Sequence, residues 1–176
     1  RDWLIISIFV GQRVSDFLNF SKSKIIEKRL LEMVQKKTGS GNTIFLLPDV
    51  LAILKKRNGD FPRKISDVNY NIYIKEVCQL VGMEEIIEGK KVMIIELNGK
   101  KVKRTVRGYY PKYKLITSHI GRRSFVSIAM QMKISETAIM QQTGHKSADI
   151  LQTYNQTNAI DKAIINGKEL VKLKIS

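Results

Sequence analysis

An almost unbroken apolar run, Trp3 to Val10, opens the chain and predicts a helix over residues 1–10. Gly11 interrupts it. A second helix is expected from about Gln12 to Phe20, with Val14, Phe17 and Leu18 on one face. Residues 29–36 alternate loosely and predict a strand. Thr38-Gly39-Ser40-Gly41 signals a turn, and Thr43 to Leu47 reads as the returning strand. Pro48 presets a helical dihedral and Asp49 favours the positive end of the helix dipole, so a helix should run from there through about Arg57, closed by Asn58-Gly59. Ser66 caps another helix reaching about Val81, and Gly82 stops it.

The period then changes. Val92 to Leu97, Asn98-Gly99 and Val102 to Val106 predict two strands around a two-residue turn, because Asn-Gly tolerates the positive dihedrals of a tight hairpin. Pro111 ends this arm, which spans about residues 88–114. From Ser118 the pattern is helical again, over 118–132, 135–142 and 147–155, with Gly144 and Asn158 marking breaks. The tail, residues 157–176, carries an apolar stripe of Ile160, Ala163, Ile164 and Leu170 and should hold a helix over about 159–172. The predicted fold is mainly α with a small antiparallel sheet, an α+β class, bearing an inserted β-hairpin arm. A single domain is expected over residues 1–176. Its start inside a helical pattern at Arg1, without an initiator Met, predicts a fragment lacking an N-terminal domain.

Composition narrows the chemistry. At 43% apolar the chain is no disordered basic tail. A single cysteine, Cys78, rules out a disulfide scaffold and points to a reducing compartment. Two histidines and one cysteine leave almost no room for a zinc site, and no metal or cofactor is expected. No apolar run reaches the roughly 18 residues of a membrane span, and the apolar start lacks the basic flank and cleavage site of a signal peptide.

Charge adds a partner. Lys and Arg number 31 against 16 Asp and Glu, a net charge of +15. Clustered cations gain from releasing the counterions of a phosphate backbone, so double-stranded DNA is the leading partner. The charge concentrates between Lys90 and Lys114: Lys90, Lys91, Lys100, Lys101, Lys103, Arg104, Arg107, Lys112 and Lys114, opposed in that stretch only by Glu96 and interleaved with Tyr109, Tyr110 and Tyr113. Lys100, Lys101, Lys103, Arg104 and Arg107 are its expected DNA contacts. A solvated basic surface is the competing reading.

Four short segments could carry chemistry. In Ser118-His119-Ile120-Gly121-Arg122-Arg123, a helix puts His119 and Arg122 on one face, where both can reach one phosphate. Such spacing is also common on solvated helices. In Thr143-Gly144-His145-Lys146-Ser147, the histidine after glycine at a helix junction can donate into a cleft. Tyr154, nine residues beyond His145, is a possible nucleophile, although most tyrosines are boundary residues with a wet hydroxyl. In Gly11-Gln12-Arg13-Val14-Ser15-Asp16, the carboxylate of Asp16 could hold the fork of Arg13; a plain surface ion pair is the alternative. In Gln35-Lys36-Lys37-Thr38-Gly39, a lysine on a tight turn could approach a scissile bond or serve only solubility.

The ordered set, Arg, Lys, His-x-x-Arg, His, Tyr, resembles the catalytic domain of the tyrosine recombinase (phage integrase) family, over about residues 4–156. Within that family it is most similar to integrases of bacterial mobile elements such as conjugative transposons. The resemblance implies that Arg13 and Arg122 clamp the scissile phosphate and that Tyr154 attacks phosphorus to give a 3′-phosphotyrosine. It assigns Lys37, favoured over Lys36 by register against Thr38-Gly39, to protonate the leaving 5′-oxygen. His119 would assist proton transfer, His145 would donate to a phosphate oxygen, and Asp16 would support Arg13. Arg123 and Lys146 would face DNA. The implied activity is metal-free cleavage and rejoining of DNA strands by a site-specific recombinase, working as a tetramer on DNA in the bacterial cytoplasm at the nucleoid. The isolated domain would be a monomer, and the tail would pack in cis or on a neighbour. Two alternatives remain: a DNA-binding module without chemistry, and a type IB topoisomerase-like strand transferase.

Overall fold

A computed structural model describes residues 1–97 and 99–153. In chain order its elements are α1 (Asp2–Val10), α2 (Val14–Phe17), β1 (Ile25–Ile26), β2 (Leu30–Val34), β3 (Gly41–Phe45), α3 (Pro48–Lys55), α4 (Asp67–Leu80), β4 (Ile86–Leu97), β5 (Lys100–Pro111), α5 (Lys112–Leu115), α6 (His119–Gln131), α7 (Glu136–Thr143) and α8 (Ala148–Gln152). The class is α+β, as the patterning predicts. The described chain divides into two compact units, residues 65–118 and residues 2–64 with 119–153. Tyr154, Asn98 and the expected tail helix lie outside the described residues.

The larger unit is built around α1. Trp3, Ile6, Ser7 and Val10 form its buried stripe at helical spacing. Trp3 stacks on Phe61 at 6.2 Å between ring centroids and donates its Nε1–H to the Arg63 carbonyl at 2.9 Å, so its buried polar atom is satisfied. Helix α6 runs against α1 where Gly121 meets Ser7. A Cβ at 121 would overlap the Ser7 hydroxyl and lie 2.8 Å from its backbone carbonyl carbon, so only glycine lets the two helices approach this closely. On the other side of α6, Val126 and Ala129 pack with Ile139 and Leu151.

The three-stranded antiparallel sheet has the order β1-β2-β3. Leu31 and Ile44 pair across it, and both are fully buried. Strand β3 is an edge whose open side is covered by α7. The Gln142 carboxamide exchanges two 2.9 Å hydrogen bonds with the Phe45 backbone, donating to its carbonyl and accepting from its N–H. That seam ties the sheet to the helix that leads into Thr143 and His145.

Two expectations change. The second helix is a single turn, Val14–Phe17, not a helix over 12–20. Beyond it the backbone tightens into three-residue bonds, Asn19 N–H to Asp16 O and Phe20 N–H to Phe17 O, which wind the chain off the α-helical path. The hairpin strands are far longer than the Val-rich cores that announced them, pairing continuously from Ile86↔Pro111 to Leu97↔Lys100. Gly89 and Gly108 face each other in this ladder and hide its strand character in the sequence. A Cβ at 89 would collide with the Leu115 side chain, so the glycine is where α5 seats on the ribbon.

In the smaller unit α4 is capped by Ser66, whose hydroxyl accepts the Asn69 N–H at 3.1 Å. Tyr70, Ile74 and Cys78 are its buried positions, and burial pushes the Cys78 thiol pKa up, away from reactivity. The cross-strand register places Lys90, Arg107, Lys103 and Lys101 on one face of the hairpin. Met93, Ile95, Val102 and Val106 are on the other, with Lys91, Lys100 and Arg104.

Candidate active site

The candidate residues of the larger unit come from four separated segments of the sequence and meet at the ends of four elements. Arg122 sits one turn into α6. Among the described residues it is the largest fully buried side chain, at 1% exposure. The His119–Arg122 pair is therefore not two exposed groups side by side: His119 is exposed at the first residue of α6 and Arg122 reaches inward. Its Nη1 donates to the carbonyls of Gly11 at 2.8 Å and Thr143 at 2.7 Å, and its Nε donates to His145 Nε2 at 3.3 Å. Gly11 ends α1 and Thr143 ends α7, so two helix ends lend their open carbonyls to one guanidinium.

His145 is held by its other nitrogen as well. Nδ1 lies 2.7 Å from Thr143 Oγ1, and that hydroxyl spends its single hydrogen on the Ile139 carbonyl at 2.7 Å. Nδ1 must then carry the proton and donate to Thr143, leaving Nε2 as a lone pair that accepts from Arg122. The ring is neutral in this arrangement. Burial, then the charges of Arg122 and Arg13, lower its pKa to about 4. The residue before it, Gly144, ends α7 in the left-handed region at φ 71°.

Arg13 is half-buried and directs Nη1 to Gln35 Oε1 at 3.3 Å. Asp16 does not hold it, contrary to expectation. The short α2 turns Asp16 toward the β2–β3 turn, where Oδ1 accepts the Lys36 backbone N–H at 3.0 Å. Its second oxygen, Oδ2, is buried without a hydrogen-bond partner. Lys36 and Lys37 are both exposed on that turn. His119 senses the whole set: the covered part of its ring, then Arg123, Arg122, Arg13 and Lys37, lower its pKa below the ordinary value. Arg123 and Lys146 are exposed nearby in the chain, beside Arg122 and His145 respectively. Beside His145 a groove of about 410 Å³ is lined by Gln35, Asn42, Gln141, Gly144 and Lys146.

The structure thus brings Arg13, Lys37, His119, Arg122, Arg123 and His145 within one positive field. The arm cations Lys100, Lys101, Lys103, Arg104 and Arg107 belong to the other unit. Among the described residues no three His, Cys, Asp or Glu side chains converge as metal ligands, and no helix is long and apolar enough to cross a membrane. Sequence reasoning missed Gln12, Gln35 and Thr143, all buried and polar. Each stands within a quoted motif segment, so the signal was present but overshadowed by its charged neighbours.

No family sequence model matches the chain, and no curated protein matches it in sequence. Solved structures do. The XerA recombinase superposes with a TM-score of 0.65 at 12% identity, over 97% of this chain and 57% of its own. The Tn1549 transposon integrase, in complex with transposon right end DNA, gives 0.61 at 13% identity, over 97% and 58%. The fold is the tyrosine-recombinase catalytic-domain fold. The XerH site-specific recombinase bound to its difH substrate shares that recombinase fold, with a TM-score of 0.59 at 12% identity over 99% of this chain. The chain spans about half the length of these structures, 57%, 47% and 58% for XerA, XerH and the integrase.

Proposed function

We propose that this chain is the catalytic domain of a site-specific DNA recombinase, of the integrase kind found in mobile elements, that cleaves and rejoins DNA through a phosphotyrosine. The observation that carries this reading is the convergence of Arg13, Arg122 and His145, with His119 and Lys37 in the same positive field, from four separated segments of the sequence. Phosphoryl transfer needs positioning and stabilisation of charge on the phosphate oxygens, and two guanidiniums with a histidine supply both.

In the proposed reaction the Tyr154 oxygen attacks phosphorus and the bond from phosphorus to the 5′-oxygen breaks. The DNA is left with a 3′-phosphotyrosine, and the 5′-oxygen leaves as a hydroxyl with a proton from Lys37. His119 takes part in the proton transfer on the tyrosine side. Arg13 and Arg122 neutralise the non-bridging oxygens. His145 starts with Nε2 accepting from Arg122, so it donates to the phosphate only after Nε2 gains a proton or the ring turns. The approaching phosphate charge favours that proton. A second 5′-hydroxyl reverses the steps and exchanges strands, with no metal required. Arm cations, Arg123 and Lys146 face the DNA backbone, and four protomers act on two duplexes, in the cytoplasm at the nucleoid.

The test is incubation with negatively supercoiled plasmid in EDTA, beside Tyr154→Phe. Relaxation and covalent protein–DNA adduct, both lost in the Phe variant, are expected. Stable DNA binding with neither signal would overturn the reading in favour of a binding module. Relaxation without strand exchange between two marked duplexes would favour a topoisomerase.

A further inference from the structure

The recombinase reading gives buried Gln35 no role, and the inference here rests on that reading. Gln35 is 2% exposed. Its backbone closes the β2–β3 turn, with its N–H donating to Ser40 O at 2.9 Å and its carbonyl accepting the Gly39 N–H at 2.8 Å. Its side chain reaches into the site. Oε1 accepts from Arg13 Nη1 at 3.3 Å and from Thr38 Oγ1 at 3.2 Å. Nε2 donates to the Thr143 carbonyl at 3.2 Å and to Gln12 Oε1 at 3.4 Å. That same Thr143 carbonyl receives Arg122 Nη1.

One carboxamide therefore touches the segment bearing Arg13, the turn bearing Lys37 and the segment running into His145, and shares an acceptor with Arg122. Only an amide can accept on one atom and donate twice on the other in this geometry. The contact is close enough to dictate its neighbour: a Cβ at position 144 would overlap Gln35 Nε2. It is also the one side-chain hydrogen bond of Arg13 among the described residues. The charges of Arg13 and Arg122 both reach His145, so the two guanidiniums repel across a small site. A neutral oxygen facing Arg13 offsets that repulsion.

We propose that Gln35 is a positioning residue: its carboxamide sets Arg13 and the Lys37 turn in register with the Thr143–His145 segment, so that the rate of strand cleavage depends on it while DNA affinity does not. Gln35→Met keeps length and burial and removes every side-chain hydrogen bond. Gln35→Glu keeps the acceptor for Arg13 and loses the donors. The rate of covalent adduct formation on supercoiled plasmid, binding to the same plasmid, and the NMR titration of His145 are measured in all three proteins. Adduct formation should slow by about 10- to 100-fold in the Met variant, the scale of a misplaced catalytic group, with partial recovery in the Glu variant. Plasmid binding should be unchanged. The His145 midpoint should rise in the Met variant as the Arg13 charge drifts away. A wild-type rate in the Met variant, or binding that falls in step with the rate and no advantage for Glu, would overturn the proposal. If the wild-type protein forms no adduct, it is the recombinase reading that fails. The His145 titration then decides alone: a raised midpoint supports positioning by Gln35, and an unmoved one refutes it.

Discussion

Two regions concentrate positive charge, and they hold it in opposite ways. Around Arg122 the cations are few, and the most central is fully buried and tied to helix-end carbonyls and a neutral histidine. Along β4 and β5 they are many and, all but half-buried Lys91, exposed, and the ion pair there, Arg107 to Glu88 at 2.6 Å, joins side chains 72% and 48% exposed. A charge taken out of water is costly and needs acceptors held at fixed positions, so the first region fixes geometry. A charge left in water keeps its rotamer freedom and acts through the field of the whole ribbon. The first arrangement suits one phosphate at one place. The second suits a backbone of many phosphates.

The sharpest way to break this contrast is Arg122→Lys. A lysine cannot reproduce the fork that spans Gly11, Thr143 and His145. Adduct formation on plasmid should fall by about 100-fold or more, the cost of removing a preorganised donor to a developing oxyanion. A rate within tenfold of wild type would show that charge alone suffices and that burial has no catalytic purpose.

Acid should loosen the buried region and spare the exposed one. His145 takes a proton at about 4 in the folded chain and near its ordinary value of 6.5 when unfolded. Between those values the unfolded state binds more protons, so stability is full above about pH 6.5 and declines as the pH falls toward 4. The loss from this residue approaches about 3 kcal/mol at pH 4. Urea melts of the wild type and His145→Gln across that range check it: the variant should lack this share of the acid sensitivity.

Neutralising the arm tests the other side of the comparison. In Lys101→Gln/Lys103→Gln/Arg107→Gln the salt dependence of DNA binding should flatten by up to about 3 in log–log slope, near 0.9 for each lost phosphate contact. The cleavage rate at saturating protein should hold. An unchanged slope would mean that these cations meet no phosphate. Smallest of all is the exposed ion pair: Glu88→Gln should shift the melting free energy by less than about 1 kcal/mol.

The arm was legible because turn chemistry and charge are local properties, written into consecutive residues. Only the length of its two strands escaped, since Gly89 and Gly108 are poor strand formers whose pairing is settled by each other and by Leu115. The helices were legible where caps and stripes agreed, as at Ser66, whose hydroxyl accepts the N–H three residues on, whereas the matching cap at Ser135 emerged only in the structure. Charged members of the site stood out by type and order. Their neutral supports did not, because Gln12, Gln35 and Thr143 earn their place through partners about 20 to 130 residues away.

By itself, then, the sequence determined the α+β class, the hairpin arm, the basic character and the identity of the candidate reactive groups. These follow from periodicity, turn residues and side-chain chemistry. The tertiary structure alone decided that Arg122 is buried, that Asp16 serves the turn and not Arg13, and that His145 begins as an acceptor. Each of those depends on which carbonyl, amide or hydroxyl a distant segment brings within about 3 Å, and hydrogen-bond partnership at that range is set by packing.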